Sequence, residues 1–232
     1  MLTGVYQERP SRVPGAVVWS WTAAPAAGPK QVLPDGCVDI LWRAGELLVA
    51  GPDTEARTVP ASEGGGYAGL RFAPGTGPAV LGVPARELRN RRVPLAAIWP
   101  EREVRRLAGQ LAEIADVRGG LEAAVLRRPG GLPAPDPVCA GAVAALARGG
   151  TIADVARAAG LSERQLHRRF LDAVGYGPKT LSRVLRLHRA LELARAGTPL
   201  ATVAALAGYA DQPHLSREVK ALAGRPVTEL LV

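Results

Sequence analysis

Two stretches of this chain repeat one pattern at a distance of 48 to 49 residues. Val155-Ala156-Arg157-Ala158-Ala159-Gly160 returns as Val203-Ala204-Ala205-Leu206-Ala207-Gly208, and Leu166-His167-Arg168-Arg169-Phe170 returns as Leu215-Ser216-Arg217-Glu218-Val219. Each copy reads as helix, short turn, helix. Thr151 is placed to cap the first helix, and Thr198 its counterpart, with Pro199 at the first helical position. Gly160 and Gly208 stand where those helices must end in a left-handed turn. Ser162 and Asp211 then cap the second helices. Leu166 with Phe170, and Leu215 with Val219, are spaced i, i+4 and turn inward. That leaves Arg164, His167 and Arg168 outward in the first copy, and Gln212, Ser216 and Arg217 in the second. A helix-turn-helix unit puts this outward face in the major groove. There Arg reads guanine and Gln reads adenine, each through two hydrogen bonds, while Ser and His bond to base edges or phosphate.

Between the copies, Thr180 to Ala194 has a strong helical pattern in Leu181, Val184, Leu185, Leu187 and Leu191. Fifteen helical residues span roughly 22 Å. Such a connector would hold two reading heads about one DNA turn apart, roughly 34 Å, on one face of the duplex. Arg183, Arg186 and Arg189 form a stripe along it. Phosphate contacts and ion pairs within the domain, with Asp154 or Asp172, are equal readings of that stripe.

The charge agrees with a polyanion partner. Of the net +8, residues 1–150 contribute +3 (17 Lys and Arg against 14 Asp and Glu) and residues 151–232 contribute +5 (12 against 7) in about half the length. The excess of Arg, Ala, Gly and Pro is consistent with a GC-rich coding background and is given no functional weight. All three histidines, His167, His188 and His214, lie in the last third, so the first 150 residues offer neither a histidine base nor a histidine metal cluster. No run of about 18 apolar residues free of charge and proline is present, and no secretory leader opens the chain, so a cytoplasmic location without membrane contact is expected.

The expected fold class is α+β. Residues 1–100 read as a small β-rich sensor or association domain, with strands at Val17–Thr22, Val38–Arg43, Glu46–Val49 and Gly69–Phe72 set between Pro- and Gly-bearing turns. Residues 85–100 read as a short helix at most. Residues 101–150 read as a helical connector and linker. In it, Val104, Leu107, Leu111 and Ile114 form an apolar stripe for a partner or for the chain's own core. A second helix spans Leu121–Leu126, a linker Pro129–Pro137, and a third helix runs from Val138 to Gly149-Gly150. Residues 151–232 read as an all-α domain of two helix-turn-helix units joined by a connector helix.

This last segment resembles the DNA-binding domain of the AraC/XylS family of bacterial transcription regulators. The resemblance is carried by ARAAGLSERQLHRRF, the Gly175-Tyr176-Gly177-Pro178 loop, RLHRAL on the connector and AALAGYADQPHLSREVK. It implies base or backbone contacts by Arg164, His167 and Arg168 from the first unit and by Gln212, Ser216 and Arg217 from the second. Val219 stands where the family usually has Phe, and Pro226 comes one place early in the closing Gly-x-x-Pro pattern, so a looser second core is expected. Leu33 to Asp39, Gly51-Pro52 and Gly69 to Gly75 resemble, more weakly, a small domain that precedes the DNA-binding region in some members.

Other residues admit a sharp and a plain reading. Cys37 is a reactive thiol, as a redox sensor or methyl acceptor would need, or a small buried strand residue. Asp35 and Asp39 next to it would raise its pKa, which favours the plain reading. Cys139 reads as structural. Asp35 reads as part of a Pro-Asp-Gly turn and Asp39 as a local cap or pair rather than a catalytic dyad. Gly64-Gly65-Gly66 lacks the Lys-Ser/Thr of a phosphate loop and reads as a hairpin. Trp19, Trp21 and Trp42 line a ligand pocket or pack a core. The expectation is therefore a regulator with no enzymatic activity, cofactor or metal, and with double-stranded DNA as partner. RNA polymerase, an unknown small-molecule effector and a second copy of the chain are further candidates. The alternative is a bifunctional cysteine-based sensor-regulator.

Overall fold

Alternation of side chains decides how the N-terminal half is layered. The computed structural model describes residues 4–24, 29–59 and 66–231. Strands β1 (Gly4–Pro10), β2 (Ala16–Ala23), β4 (Val38–Arg43), β5 (Glu46–Ala50), β7 (Tyr67–Phe72) and β8 (Arg92–Pro94) form one antiparallel sheet in the order β1-β2-β7-β4-β5-β8. Val18, Ile40, Val49 and Leu70 point to one face, and none is more than 1% exposed. Trp19, Trp21, Asp39, Leu41, Tyr67 and Arg71 take the intervening positions and point to the other face. A two-stranded ribbon, β3 (Lys30–Val32) with β6 (Arg57–Val59), lies over that second face.

The first face is closed by helices. Short α1 (Gly77–Leu81) and α2 (Ala85–Leu88) follow β7. After them come α3 (Glu101–Glu113) and α4 (Val117–Leu126), which pack on the sheet through Val104, Leu107, Leu111, Leu121 and Val125. The apolar stripe of α3 is thus spent on the chain's own core. Ile114 lies beyond the helix and is exposed. The expected helix at Leu121–Leu126 starts earlier, at Val117, because Asp116 caps it by accepting from the Gly119 N–H at 3.1 Å. Glu122, 2% exposed, ties α4 to the β1–β2 turn. It accepts from the Ser11 hydroxyl (2.8 Å), the Arg12 N–H (2.7 Å) and Arg12 Nε (2.9 Å).

The remaining helices are α5 (Pro137–Ala147), α6 (Ile152–Ala158), α7 (Glu163–Ala173), α8 (Pro178–Arg195), α9 (Leu200–Ala207) and α10 (Gln212–Ala223). They build two further cores. One joins Cys139 and Leu146 of α5 to Val155, Leu166, Phe170 and Leu181, and the other joins Leu187 and Leu191 to Val203, Leu215, Val219 and Leu222. The long connector α8 serves both, with its first half in one core and its second half in the other. Among the described residues no helix is long and apolar enough to cross a membrane.

The two halves touch. Leu33 packs into the second helical core. His188 Nε2 on α8 donates to the Pro34 carbonyl at 2.7 Å, the Ala56 N–H donates to the Leu222 carbonyl at 2.7 Å, and Gln31 Nε2 donates to the Ala223 carbonyl at 2.6 Å. Arg86 on α2 pairs with Asp172 on α7.

The N-terminal candidates take these places. Asp35 Oδ1 accepts from the Cys37 N–H at 2.9 Å, forming the expected turn. Asp39 does not cap locally. It is 8% exposed and accepts from Trp19 Nε1 at 2.6 Å and Arg71 Nε at 3.1 Å, because cross-strand pairing sets Asp39 opposite Arg71. Burial, with Asp35 and Asp39 adding to it, pushes the Cys37 thiol well above its usual range, away from a reactive thiolate. Cys139 is fully buried, and its thiol is pushed up to about 12 by that burial. Gly64 and Gly65 lie outside the described residues.

Candidate nucleic-acid interface

In the first repeat the turn chemistry fixes the angle between helices. Thr151 Oγ1 accepts from the Asp154 N–H at 3.1 Å and starts α6. Gly160 closes it with φ +65°, a conformation that would strain a residue bearing a Cβ. Ser162 then opens α7 with a reciprocal box: its Oγ accepts from the Gln165 N–H (3.3 Å), and Gln165 Oε1 accepts from the Ser162 N–H (2.9 Å). Leu166 and Phe170 are wholly buried, so Arg164, His167 and Arg168 are turned out to solvent. The His167 ring lies over Gly177, where any Cβ would overlap it.

The second repeat follows the same plan with a different opening. Thr198 does not cap α9. Pro199 occupies the capping position, without a side-chain bond, and the helix begins at Leu200. The Pro ring fixes φ at the helix entry but accepts no hydrogen bond, so α9 starts without the side-chain cap expected of Thr198. Gly208 ends α9 at φ +81°, and Asp211 Oδ1 opens α10 by accepting from the His214 N–H at 2.6 Å. His214 is held in turn: its Nδ1 accepts from the Ala210 N–H at 3.2 Å, and its ring stands edge-on to Tyr209. Leu215 and Val219 are fully buried, so the smaller Val219 still closes the core. Gln212 and Arg217 are exposed and Ser216 is half-buried.

The connector arginines find partners other than the ones expected. Arg183 Nε donates to both oxygens of Glu218 at 3.1 Å, and Arg186 reaches the same carboxylate at 3.2 Å. Arg186 also stacks on Tyr209, 4.6 Å from the ring centroid, and donates to the Gly208 carbonyl at 3.2 Å. Asp154 pairs with Arg157, and Asp172 with Arg86. The reason is the approach of α10 to α8, which brings Glu218 to the stripe. Against burial, these two arginines hold the Glu218 carboxyl below its usual range. Arg189 is exposed. Glu218 is a structural partner that the residue pattern does not reveal: it lies beside Arg217 on α10, and only the approach of α10 to α8 brings it to the two arginines.

A division among the polar groups follows. Arg157, Arg169, Arg183 and Arg186 are all tied to carboxylates. Among the described residues, the side chains of Arg164, His167, Arg168, Gln212, Ser216 and Arg217 make no hydrogen bond or ion pair within the chain. No cluster of His, Cys, Asp and Glu able to hold a metal ion occurs among the described residues.

Two family models match parts of the chain. Residues 155–231 match a family model described as a helix-turn-helix domain, and residues 16–94 match one described as a domain of unknown function (DUF6597). No curated protein sequence matches the chain. Among solved structures, the chain is similar to the apo form of a single-residue variant of ToxT from Vibrio cholerae strain SCE256, at 11% identity and TM-score 0.48 over 96% of this chain and 98% of that one. It is also similar to ToxT from Vibrio cholerae O395, at 11% identity and TM-score 0.45 over 97% and 96%. A third is wild-type ToxT from strain SCE256 with an unsaturated fatty acid bound, at 13% identity and TM-score 0.44 over 93% and 94%. Residues 155–231 form an AraC-type helix-turn-helix domain, and the chain is a DNA-binding transcription regulator.

Proposed function

We propose that the protein binds a specific DNA site by setting α7 and α10 into successive major grooves, under modulation by its N-terminal half. In this reading residues 1–100 sense, residues 101–150 connect and residues 151–232 read. Arg164, His167 and Arg168 contact one half-site; Gln212, Ser216 and Arg217 contact the other. The observation that carries this reading is the division just described. These six outward side chains of the two repeated helices have no partner among the described residues, as is also true of Lys179, Arg189 and Lys220, while Arg157, Arg169, Arg183 and Arg186 are neutralised by carboxylates. Free donors on a helix face suit bidentate reading of base edges. The bonds from the N-terminal loop and ribbon to the connector α8 and to α10 support modulation of α10 by the N-terminal half.

The cysteine-based alternative is the weaker reading, since burial and two carboxylates disfavour the Cys37 thiolate. The test is the affinity of Arg168→Ala and Arg217→Ala for a cognate site and for random DNA at fixed salt. Each should lose about 1–3 kcal/mol on the cognate site and much less on random DNA. Equal losses on both would reduce these residues to phosphate contacts.

A further inference from the structure

Between the second face of the sheet and the β3–β6 ribbon lies a cavity of about 260 Å³. That is just under the range of about 300–1,000 Å³ typical of drug-sized ligands, so its occupant is small. Its aromatic wall is Trp19, Trp21 and Tyr67. Gly69, opposite Trp19, keeps the wall flat, because a Cβ there would sit 2.6 Å from the indole.

Charge in the cavity is unbalanced. Arg71 is matched by Asp39 and Arg92 by Asp53. Lys30 and Arg43 have no carboxylate partner among the described residues. They rest on rings instead: Lys30 Nζ is 5.1 Å from the centroids of both Tyr6 and Trp21, and the Arg43 guanidinium is 5.1 Å from that of Tyr67. Burial, with Arg71 adding to it, lowers the Lys30 pKa, so its charge is under-compensated there. On the same wall the Trp21 Nε1 and Tyr67 hydroxyl groups are buried with no hydrogen-bond partner. Two stacked cations and two unused donors around flat apolar walls form a receptor for an anion carried on a flat apolar body.

The ribbon that roofs the cavity also holds the second reading helix. Along β3, Lys30 and Val32 line the cavity, while Gln31, between them, bonds the Ala223 carbonyl at the end of α10. Along β6, Arg57 and Val59 line the cavity, and Ala56, just before the strand, bonds the Leu222 carbonyl.

We propose that this cavity binds a small aromatic carboxylate, and that the β3–β6 ribbon transmits its occupancy to α10. The proposal deepens the reading of the N-terminal half as a modulator and rests on it only for the second clause. The ligand's carboxylate sits between Lys30 and Arg43, and its ring lies against Trp19 and Trp21. Filling the space under Lys30 and Val32 fixes the ribbon, and Gln31 passes that constraint to Ala223.

The test uses the full chain, with trans-cinnamate as probe and cinnamyl alcohol as its uncharged counterpart, both by titration calorimetry. Cinnamate should bind once per chain and at least about tenfold more tightly than the alcohol, the worth of one charge-assisted bond. Lys30→Met should remove that preference while leaving the affinity for the alcohol unchanged, which also shows that the variant is folded. Equal affinity for the two probes, no binding, or a preference that survives Lys30→Met would overturn the site. Separately, saturating cinnamate should change affinity for cognate DNA, and Gln31→Ala should abolish that change while keeping cinnamate affinity. Cinnamate bound with DNA affinity unmoved, or moved equally in Gln31→Ala, would overturn the role of the ribbon.

Discussion

Arg183 and Glu218 meet at 3.1 Å through two hydrogen bonds, and this pair ties α10 to the connector α8. Glu218 follows Arg217 directly, so the roll of α10 that presents Arg217 is set by the carboxylate one residue on. Arg186 adds a second cation. Removing the carboxylate leaves two half-buried guanidinium groups facing each other. Glu218→Ala should cost about 1–3 kcal/mol of stability and weaken contacts at the half-site read by α10 more than those at the half-site read by α7. Denaturant unfolding and footprinting on a cognate site check both effects; equal weakening of the two half-sites would deny Glu218 its orienting role.

Asp39 predicts a pH effect of one sign. Burial raises its carboxyl from 3.8 to about 6, with Arg71 and the Trp19 N–H restraining a further rise. The folded chain therefore holds a proton that the unfolded chain has released between about pH 4 and 6. Its contribution to stability is fully present below the unfolded value and is lost as pH rises through about 6, by about 3 kcal/mol in all. Asp39→Asn should flatten that decline between pH 4 and 7. An unchanged slope in the variant would assign the decline to other groups.

Glu122 predicts the opposite slope. Burial would raise its carboxyl, but the Arg12 N–H, the Ser11 hydroxyl and the Arg12 side chain hold it at about 2. Its contribution is present above the ordinary value of 4.5 and disappears as pH falls through about 2. Arg9 and Arg12 are well exposed, so screening leaves about 1–2 kcal/mol. Glu122→Gln should lower stability at pH 7 by that amount and little at pH 2. Equal loss at both would point to shape rather than charge.

Gly69→Ala should act through its neighbour. The new Cβ would meet the Trp19 indole and swing it off β7, breaking the 2.6 Å bond from Trp19 Nε1 to Asp39. A loss of about 1–3 kcal/mol is expected, with a changed near-ultraviolet signal from the displaced indole. A stable variant with unaltered aromatic signal would mean that the wall does not need the glycine.

What could be read from the residues depends on length and on contact range. The repeat showed itself because each unit is built from local rules: caps at Thr151, Ser162 and Asp211, left-handed glycines at 160 and 208, and buried pairs four residues apart. Strands β2, β4, β5 and β7 are long enough to show alternation. Strands β3, β6 and β8 have three residues each, too few to show a period of two, and β1 is a largely exposed edge strand without an apolar face. The six outward side chains were legible from helical phase alone. The pairing of Arg183 with Glu218 was not, because it depends on how α10 approaches α8, 35 residues on. The tryptophan alternation was visible at Trp19 and Trp21, but the ribbon that turns it into a cavity wall comes from pairing Lys30 with Val59.

Whether two helices of one chain read DNA is decided by selecting bound sequences from a random DNA pool with the full-length protein. Two short motifs are expected, with centres about 10–10.5 base pairs apart. Arg168→Ala should relax one motif and Arg217→Ala the other. A single motif, or two motifs degraded together by either substitution, would contradict reading by two helices.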